Sequence, residues 1–305
     1  MTNLTVPLRP PVQSASEAAE TEVARMPEAN TAEESLRQWS AVASAWDRYS
    51  DRLFKDVRSV SEWLVDQVNP QPGQTVLELT AGTGETGFLA AGRLDATGRL
   101  ISSDFVPAMV EAARRRAGEQ GLDNVECRVL DAQQIDLPDD SVDGVMSRFG
   151  MMLVPAQQRA IAEIRRVLRQ GGRCAYATWG LPEHNPWIFQ IVAALLQNGV
   201  TPPGDPFAPG GIFSLATLDS NRALAAGGGF TDITVEELPG TMVFDGPDDY
   251  WTHVTEAAGP VATLVASLDA EQVTAIRATL DPSLAPFDHD GALELPWLAA
   301  VTSAA

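Results

Sequence analysis

Between Thr75 and Trp179 the chain alternates short apolar runs with amphipathic helical stretches, and this rhythm restricts the fold more than any other feature of the sequence. Strands are expected at 75–79, 99–103, 125–130, 142–147 and 173–179, with helices near 86–95, 107–119 and 156–169. The last helix carries Ala160, Ile161, Ile164, Val167 and Leu168 on one face and stops at Gly171-Gly172. Repeated strand–helix–strand units require right-handed crossovers and a parallel sheet covered by helices on both faces. Two further strands are expected near 231–238 and 297–302.

The flanks read differently. Residues 1–35 are rich in Ala, Glu, Pro, Ser and Thr with little apolar periodicity, as in a mobile acidic tail. In residues 36–69, Leu36, Trp39, Val42, Trp46, Tyr49 and Leu53 recur every three or four positions as an amphipathic helix, and a second helix near 56–69 ends at Pro70. These are expected to be lid helices over a core spanning 70–180. Residues 181–305 hold Pro- and Gly-rich loops, a helical stretch at 247–283 and the last two strands, and read as cap insertions that also complete the sheet.

Composition excludes several classes. The formal charge is −20 and Lys55 is the sole lysine, a balance that repels nucleic acids and anionic lipid. No run approaches the roughly 18 apolar residues of a membrane helix, and the first residues lack the apolar centre of a signal peptide, so a cytoplasmic protein is expected. Cys127 and Cys174 lie inside expected strands as buried thiols, and His184, His253 and His289 are too scattered to suggest a metal site.

The first strand runs into a glycine-rich turn, VLELTAGTGETG, with Glu78 at the strand end and Gly82, Gly84 and Gly87 before a helix. Such turns let a ligand approach the backbone at the carboxyl edge of an open sheet, near the free amides of a helix N-terminus. Gly82, Gly84 and Gly87 also spell GxGxxG, with Asp104 about 20 residues on, as a dinucleotide site would have it. Three features favour a different ligand. Glu78 is the anion that a cationic amino-acid moiety needs nearby. Some 75 residues precede the first strand, and with one lysine at position 55 no YxxxK dyad exists.

Over 70–179 the chain resembles the class I S-adenosylmethionine-dependent methyltransferases of the ubiquinone/menaquinone-biosynthesis type. Glu78-Leu-Thr-Ala-Gly82-Thr-Gly84 corresponds to the first motif of that family, and ISSDFVPAMVEAARRRA, VLDAQQIDLPDDSVDGV and SRFGMM with AIAEIRRVLRQGGR to the next three. The resemblance implies a Rossmann-like, doubly wound seven-stranded sheet, mostly parallel with an antiparallel last strand, plus helical cap insertions. It also implies S-adenosylmethionine as cofactor. Glu78 with Gly82 and Gly84 would hold the methionine portion, Asp104 the ribose hydroxyls, Phe105 and Met109 the adenine face, and Asp131, Ala132 and Gln133 the adenine edge. Ser147, Arg148 and Phe149 would lie beside the transferring methyl group. Thr80 replaces the first glycine of the motif and is expected to alter how the turn meets the methionine carboxylate. Arg114, Arg115 and Arg116 read as a solvated helix face.

SRFG after the fourth strand is not the Asn/Asp-Pro-Pro-aromatic segment of enzymes that methylate nucleic-acid amino groups, so a small molecule is the expected acceptor. Trp46, Tyr49, Phe149, Trp179, Trp187, Phe213, Phe244 and Trp251 suit a flat or greasy one. Transfer to O or C of an acidic acceptor needs a base, for which His184, His253 and Tyr49 are the candidates. An alternative keeps fold and cofactor but catalyses cyclisation or decarboxylation. The N-terminal helix could lid its own subunit or swap onto a neighbour, which leaves a homo-oligomer open.

Overall fold

The computed structural model describes residues 32–305, so most of the stretch read as an acidic tail lies outside the described residues. The strands are β1 (Thr75–Glu78), β2 (Arg99–Asp104), β3 (Val125–Val129), β4 (Val142–Arg148), β5 (Leu168–Trp179), β6 (Ile233–Phe244), β7 (Asp288–His289) and β8 (Ala292–Ala304). The sheet order is β3-β2-β1-β4-β5-β8-β6, with β7 pairing β8 off that path. The first five strands are parallel, and β8 runs antiparallel to both β5 and β6. This is the expected doubly wound sheet, seven strands across, with the two-residue β7 added by a turn at Asp290-Gly291.

Helices α1 (Ala32–Val68), α2 (Glu85–Leu94), α3 (Pro107–Glu119) and α4 (Gln157–Val167) belong to the first half of the chain. Then come α5 (Pro186–Gln197), α6 (Leu218–Gly227), α7 (Pro247–Ala257), α8 (Pro260–Ala266) and α9 (Ala270–Leu284). The two helices expected at the start are two arms of α1, joined where Val57 leaves helical geometry (φ −119°, ψ 19°). The arms have different partners. Val60, Leu64, Val65 and Val68 sink into the main core, and Val68 fills the space beside β4 that a Cβ at Gly144 would occupy. Ala43, beyond the kink, packs with Val106 and Met109 in a separate small cluster that Leu36, Trp39, Trp46 and Phe105 border.

No helix among the described residues is long and apolar enough to cross a membrane. Cys174 is buried as expected, whereas Cys127 on β3 is only half-buried because that strand is the sheet edge.

Candidate active site

Four strand ends meet along one edge of the sheet. The amide of Leu79 donates to Met146 O at 2.8 Å, Ala81 to Ser103 O at 2.9 Å, Leu130 to Asp104 O at 3.0 Å and Phe149 to Ala177 O at 2.9 Å. The segments that leave β1, β2, β3 and β4 are thereby held side by side, which brings the four sequence motifs into one row.

The glycine turn crosses that row. Gly82 (φ 56°) and Gly84 (φ 94°) adopt backbone that L side chains avoid, and Gly84 caps α2. Thr80 is also left-handed (φ 54°), a conformation that costs roughly 1–2 kcal/mol in a residue with a Cβ. Its hydroxyl donates to Leu79 O at 2.5 Å and lies 2.7 Å from Ser147 Oγ. The side chain fits because residue 150 is glycine: a Cβ there would overlap Thr80 Oγ1 and Cβ.

Two buried acids hold the turn. Asp104 accepts the Gly82 amide on Oδ2 and the Val106 amide on Oδ1, each at 2.9 Å, and burial outweighs these bonds to push it up to about 6. Each oxygen keeps a second lone pair for an incoming hydroxyl. Glu78 is packed beneath the first turn of α2. It accepts the Gly87 amide at 2.8 Å on Oε1 and the Ser102 hydroxyl at 3.0 Å on Oε2, and its burial pushes it up to about 8. Gly87 is glycine for a steric reason, since a Cβ would overlap Glu78 Oε2 and stand 2.8 Å from Leu100 Cδ2.

The outer arm of α1 lies over the turn. A methyl group at Gly82 would sit 3.8 Å from the Trp46 ring, and Trp46 Nε1 donates to Ala257 O at 2.8 Å. Phe105 and Met109 face Trp39 and Trp46 across the small cluster. Ion pairs tie this arm down: Arg52 forks onto Asp249 with both bonds at 2.6 Å, Arg48 meets Glu256 at 2.7 Å, and Asp47 meets Arg115. Asp131 is exposed and turned back on the Gln133 amide and side chain, while Ala132 is buried and Gln133 Oε1 accepts the Ala156 amide.

At the end of β4, Ser147 is buried and Phe149 (φ 57°) stacks on Trp179 with centroids 3.7 Å apart and planes 10° apart. Trp187 and Trp297 follow at 5.0 and 6.1 Å from Trp179. Of the base candidates, Tyr49 donates to Glu256 on α7 at 3.0 Å, and His253 sits one turn earlier on the same helix. His253 is buried with Nδ1 unpaired, and burial pushes it down to about 4. His184 is exposed in the turn after β5 and does not join them.

One reading of the helix face is corrected. Arg114 and Arg115 are exposed, but the Arg116 side chain is only 13% exposed and meets Glu85 of α2. Met109, Ala112, Ala113 and Arg116 recur every three or four residues, so the buried stripe itself carries the arginine inward. Glu85, Thr83 and Arg116 lie at and beside the glycine turn, and the motifs did not single them out.

The sheet order, the glycine turn and the buried acid at the end of β2 define a Rossmann-like methyltransferase core, and residues 70–198 match the family model of a methyltransferase domain. Over that part the chain resembles the class I S-adenosylmethionine-dependent methyltransferases. It is similar to the ubiquinone/menaquinone biosynthesis C-methyltransferase UbiE of Hydrogenovibrio crunogenus, 36% identical over 137 residues, covering 44% of this chain and 54% of that protein. Aklanonic acid methyltransferase DauC of a Streptomyces species is 32% identical over 136 residues, covering 45% and 60%. The chain thus spans little more than half the length of these relatives. The [4+2]-cyclase SpnF shares the fold with a TM-score of 0.57 at 15% identity, over 92% of this chain and 97% of that one.

Proposed function

We propose that the protein is a methyltransferase that moves a methyl group from S-adenosylmethionine to an oxygen or carbon of a small, largely apolar metabolite. The observation that carries this reading is the convergence of the glycine turn, buried Asp104 and four strand ends on one edge of the sheet. The residues present fit the cofactor. Asp104 would accept from its ribose hydroxyls, Gly82 and Gly84 would let its chain approach the backbone, and Phe105 and Met109 would cover its adenine beneath Trp39 and Trp46.

When bound, the cofactor supplies an activated methyl group on a sulfonium, so the protein has to position the acceptor, exclude water and accept a proton where the acceptor is acidic. Phe149, Trp179 and Trp187 give a flat apolar wall beside the end of β4, which suits an aromatic or quinone-like acceptor. The names of DauC and UbiE point the same way. His253 is neutral near pH 7 with an unpaired Nδ1, but a group pushed down to about 4 accepts a proton weakly, so an acidic acceptor would have to give up its proton readily.

Thermal unfolding with S-adenosylmethionine, S-adenosylhomocysteine and NADH in parallel tests the cofactor. The first two are expected to stabilise the protein, by about 2.7 kcal/mol at 100 times the dissociation constant. A shift with NADH alone would falsify the assignment. Transfer of labelled methyl to an apolar acceptor panel then tests the reaction, and turnover without release of S-adenosylhomocysteine would favour a cyclase or decarboxylase instead.

A further inference from the structure

The upper rim of the glycine turn holds polar atoms that the protein leaves unpaired. Thr83 Oγ1, Glu85 Oε1, Arg116 Nε and Arg148 Nη1 are all buried without a hydrogen-bond partner. The side chains of Glu85, Arg148 and Arg116 are 7%, 10% and 13% exposed. They converge from three elements: Arg116 Nε on α3 lies 3.4 Å from Glu85 Oε1 at the start of α2, and Arg148 Nη2 at the end of β4 lies 3.7 Å from Glu85 Oε2. These are ion-pair distances, yet neither contact is a hydrogen bond. The outer arm of α1 borders the group, with the Phe54 ring 5.9 Å from the Arg148 guanidinium and the exposed Asp51 accepting from Arg116 Nη2 at 2.6 Å. Buried polar groups with unsatisfied atoms are costly and rare in native proteins, so three charged side chains and a hydroxyl of this kind beside one turn call for a ligand.

The unpaired atoms are of both kinds. Each of the two guanidiniums has a nitrogen without an acceptor, and the carboxylate has an oxygen without a donor. A simple anion would satisfy the arginines and be repelled by Glu85, while a simple cation would do the reverse. An α-amino-acid head, a carboxylate beside an ammonium, complements both. Glu78, seven residues before Glu85, already has each oxygen in a bond from the protein.

We propose that Thr83, Glu85, Arg116 and Arg148 receive the zwitterionic amino-acid end of S-adenosylmethionine, the guanidiniums holding its carboxylate and Glu85 its ammonium. Glu78 then braces the turn from below instead of meeting the ligand. The assignment rests on the cofactor reading above and adds which side chains recognise that end.

Calorimetric titration with S-adenosylhomocysteine and 5′-methylthioadenosine tests it, because the second ligand keeps the nucleoside and thioether but lacks the amino-acid head. Arg148→Met is expected to weaken S-adenosylhomocysteine binding about 10- to 100-fold, the scale of a lost charge-assisted bond, and to leave methylthioadenosine within about twofold. Glu85→Gln, close in shape to the native side chain, should give a smaller loss confined to the same ligand, and Arg148→Lys should recover part of it. Equal losses for both ligands, or no loss for either, overturn the assignment while the cofactor reading stands. A wild-type protein that binds neither ligand overturns both.

Discussion

The underside and the rim of the glycine turn use the same residue types to opposite ends. Below the turn, Glu78 is fully buried and both its oxygens are bonded, to Gly87 N and Ser102 Oγ, while Ser103 Oγ donates to Glu78 O at 2.7 Å. On the rim, Glu85 is also buried, but its neighbours stand at ion-pair distance and leave atoms unpaired. A satisfied buried network fixes a backbone, and an unsatisfied one stores recognition at some expense in stability. The contrast separates residues whose loss should unfold the turn from residues whose loss should weaken a ligand.

The largest effect is expected at Gly87→Ala, where the new Cβ collides with Glu78 and Leu100. Urea unfolding should show a loss of about 3 kcal/mol, the upper range of overpacking, and a loss under about 1 kcal/mol would mean the underside is not rigid. Next is Asp104→Ala, which should abolish the stabilisation by S-adenosylmethionine, about 2.7 kcal/mol at 100 times the dissociation constant. Retention of that shift would take the acid out of the site.

Acidity sharpens the comparison further. The folded pKa of Glu78, about 8, lies above its ordinary value of 4.5, so the folded state keeps a proton that the unfolded chain has released. Stability therefore falls as pH climbs toward 8, by about 1.4 kcal/mol per pH unit at most and about 2 kcal/mol from pH 6.5 to 8. His253, pushed down to about 4 from 6.5, acts below that window with the opposite sign, since it favours the fold above its ordinary value and less as pH falls. Glu78→Gln should flatten the decline between pH 6.5 and 8; an unchanged slope would show that Glu78 is not its source. The smallest effect on stability is expected on the rim. Arg148→Met removes a poorly paired buried charge while Glu85 keeps Arg116 as its partner, so the unfolding free energy without ligand should change by less than about 1 kcal/mol. A loss of several kcal/mol would make Arg148 part of the scaffold.

Much of this was legible in the order of residues. β1 to β4 appear within a residue or two of their expected places, as α3 and α4 do, but β5 begins at Leu168, five residues before its apolar run, and takes in both Leu168, expected on the helix face, and Gly171-Gly172, expected to end the helix. The outer strands are longer than their apolar runs. β6 and β8 continue past the end of β5 as a two-stranded ribbon, from Pro239 opposite Leu298 to Phe244 opposite Leu293, and Pro239-Gly240 and Pro296 interrupt the pattern that would announce it. The kink at Val57 was visible as a break between two helices, but the continuity across it was not. Asp104 and the glycines announce themselves by type and spacing. Glu85 and Arg116 do not, because a charged residue's burial is decided by the element that packs over it, and here that element is the outer arm of α1.

Thr80 and Gly150 have a consequence on another scale. The threonine side chain occupies the volume that any Cβ at position 150 would need, although the two sites are 70 residues apart in the chain. Their substitutions therefore have an order. A lineage with glycine at 80 can accept alanine at 150, but from that point threonine at 80 is sterically barred until the alanine reverts. A step that is neutral in one background closes a path in the other, so the histories of the two positions are linked through shared space on the carboxyl edge of the sheet.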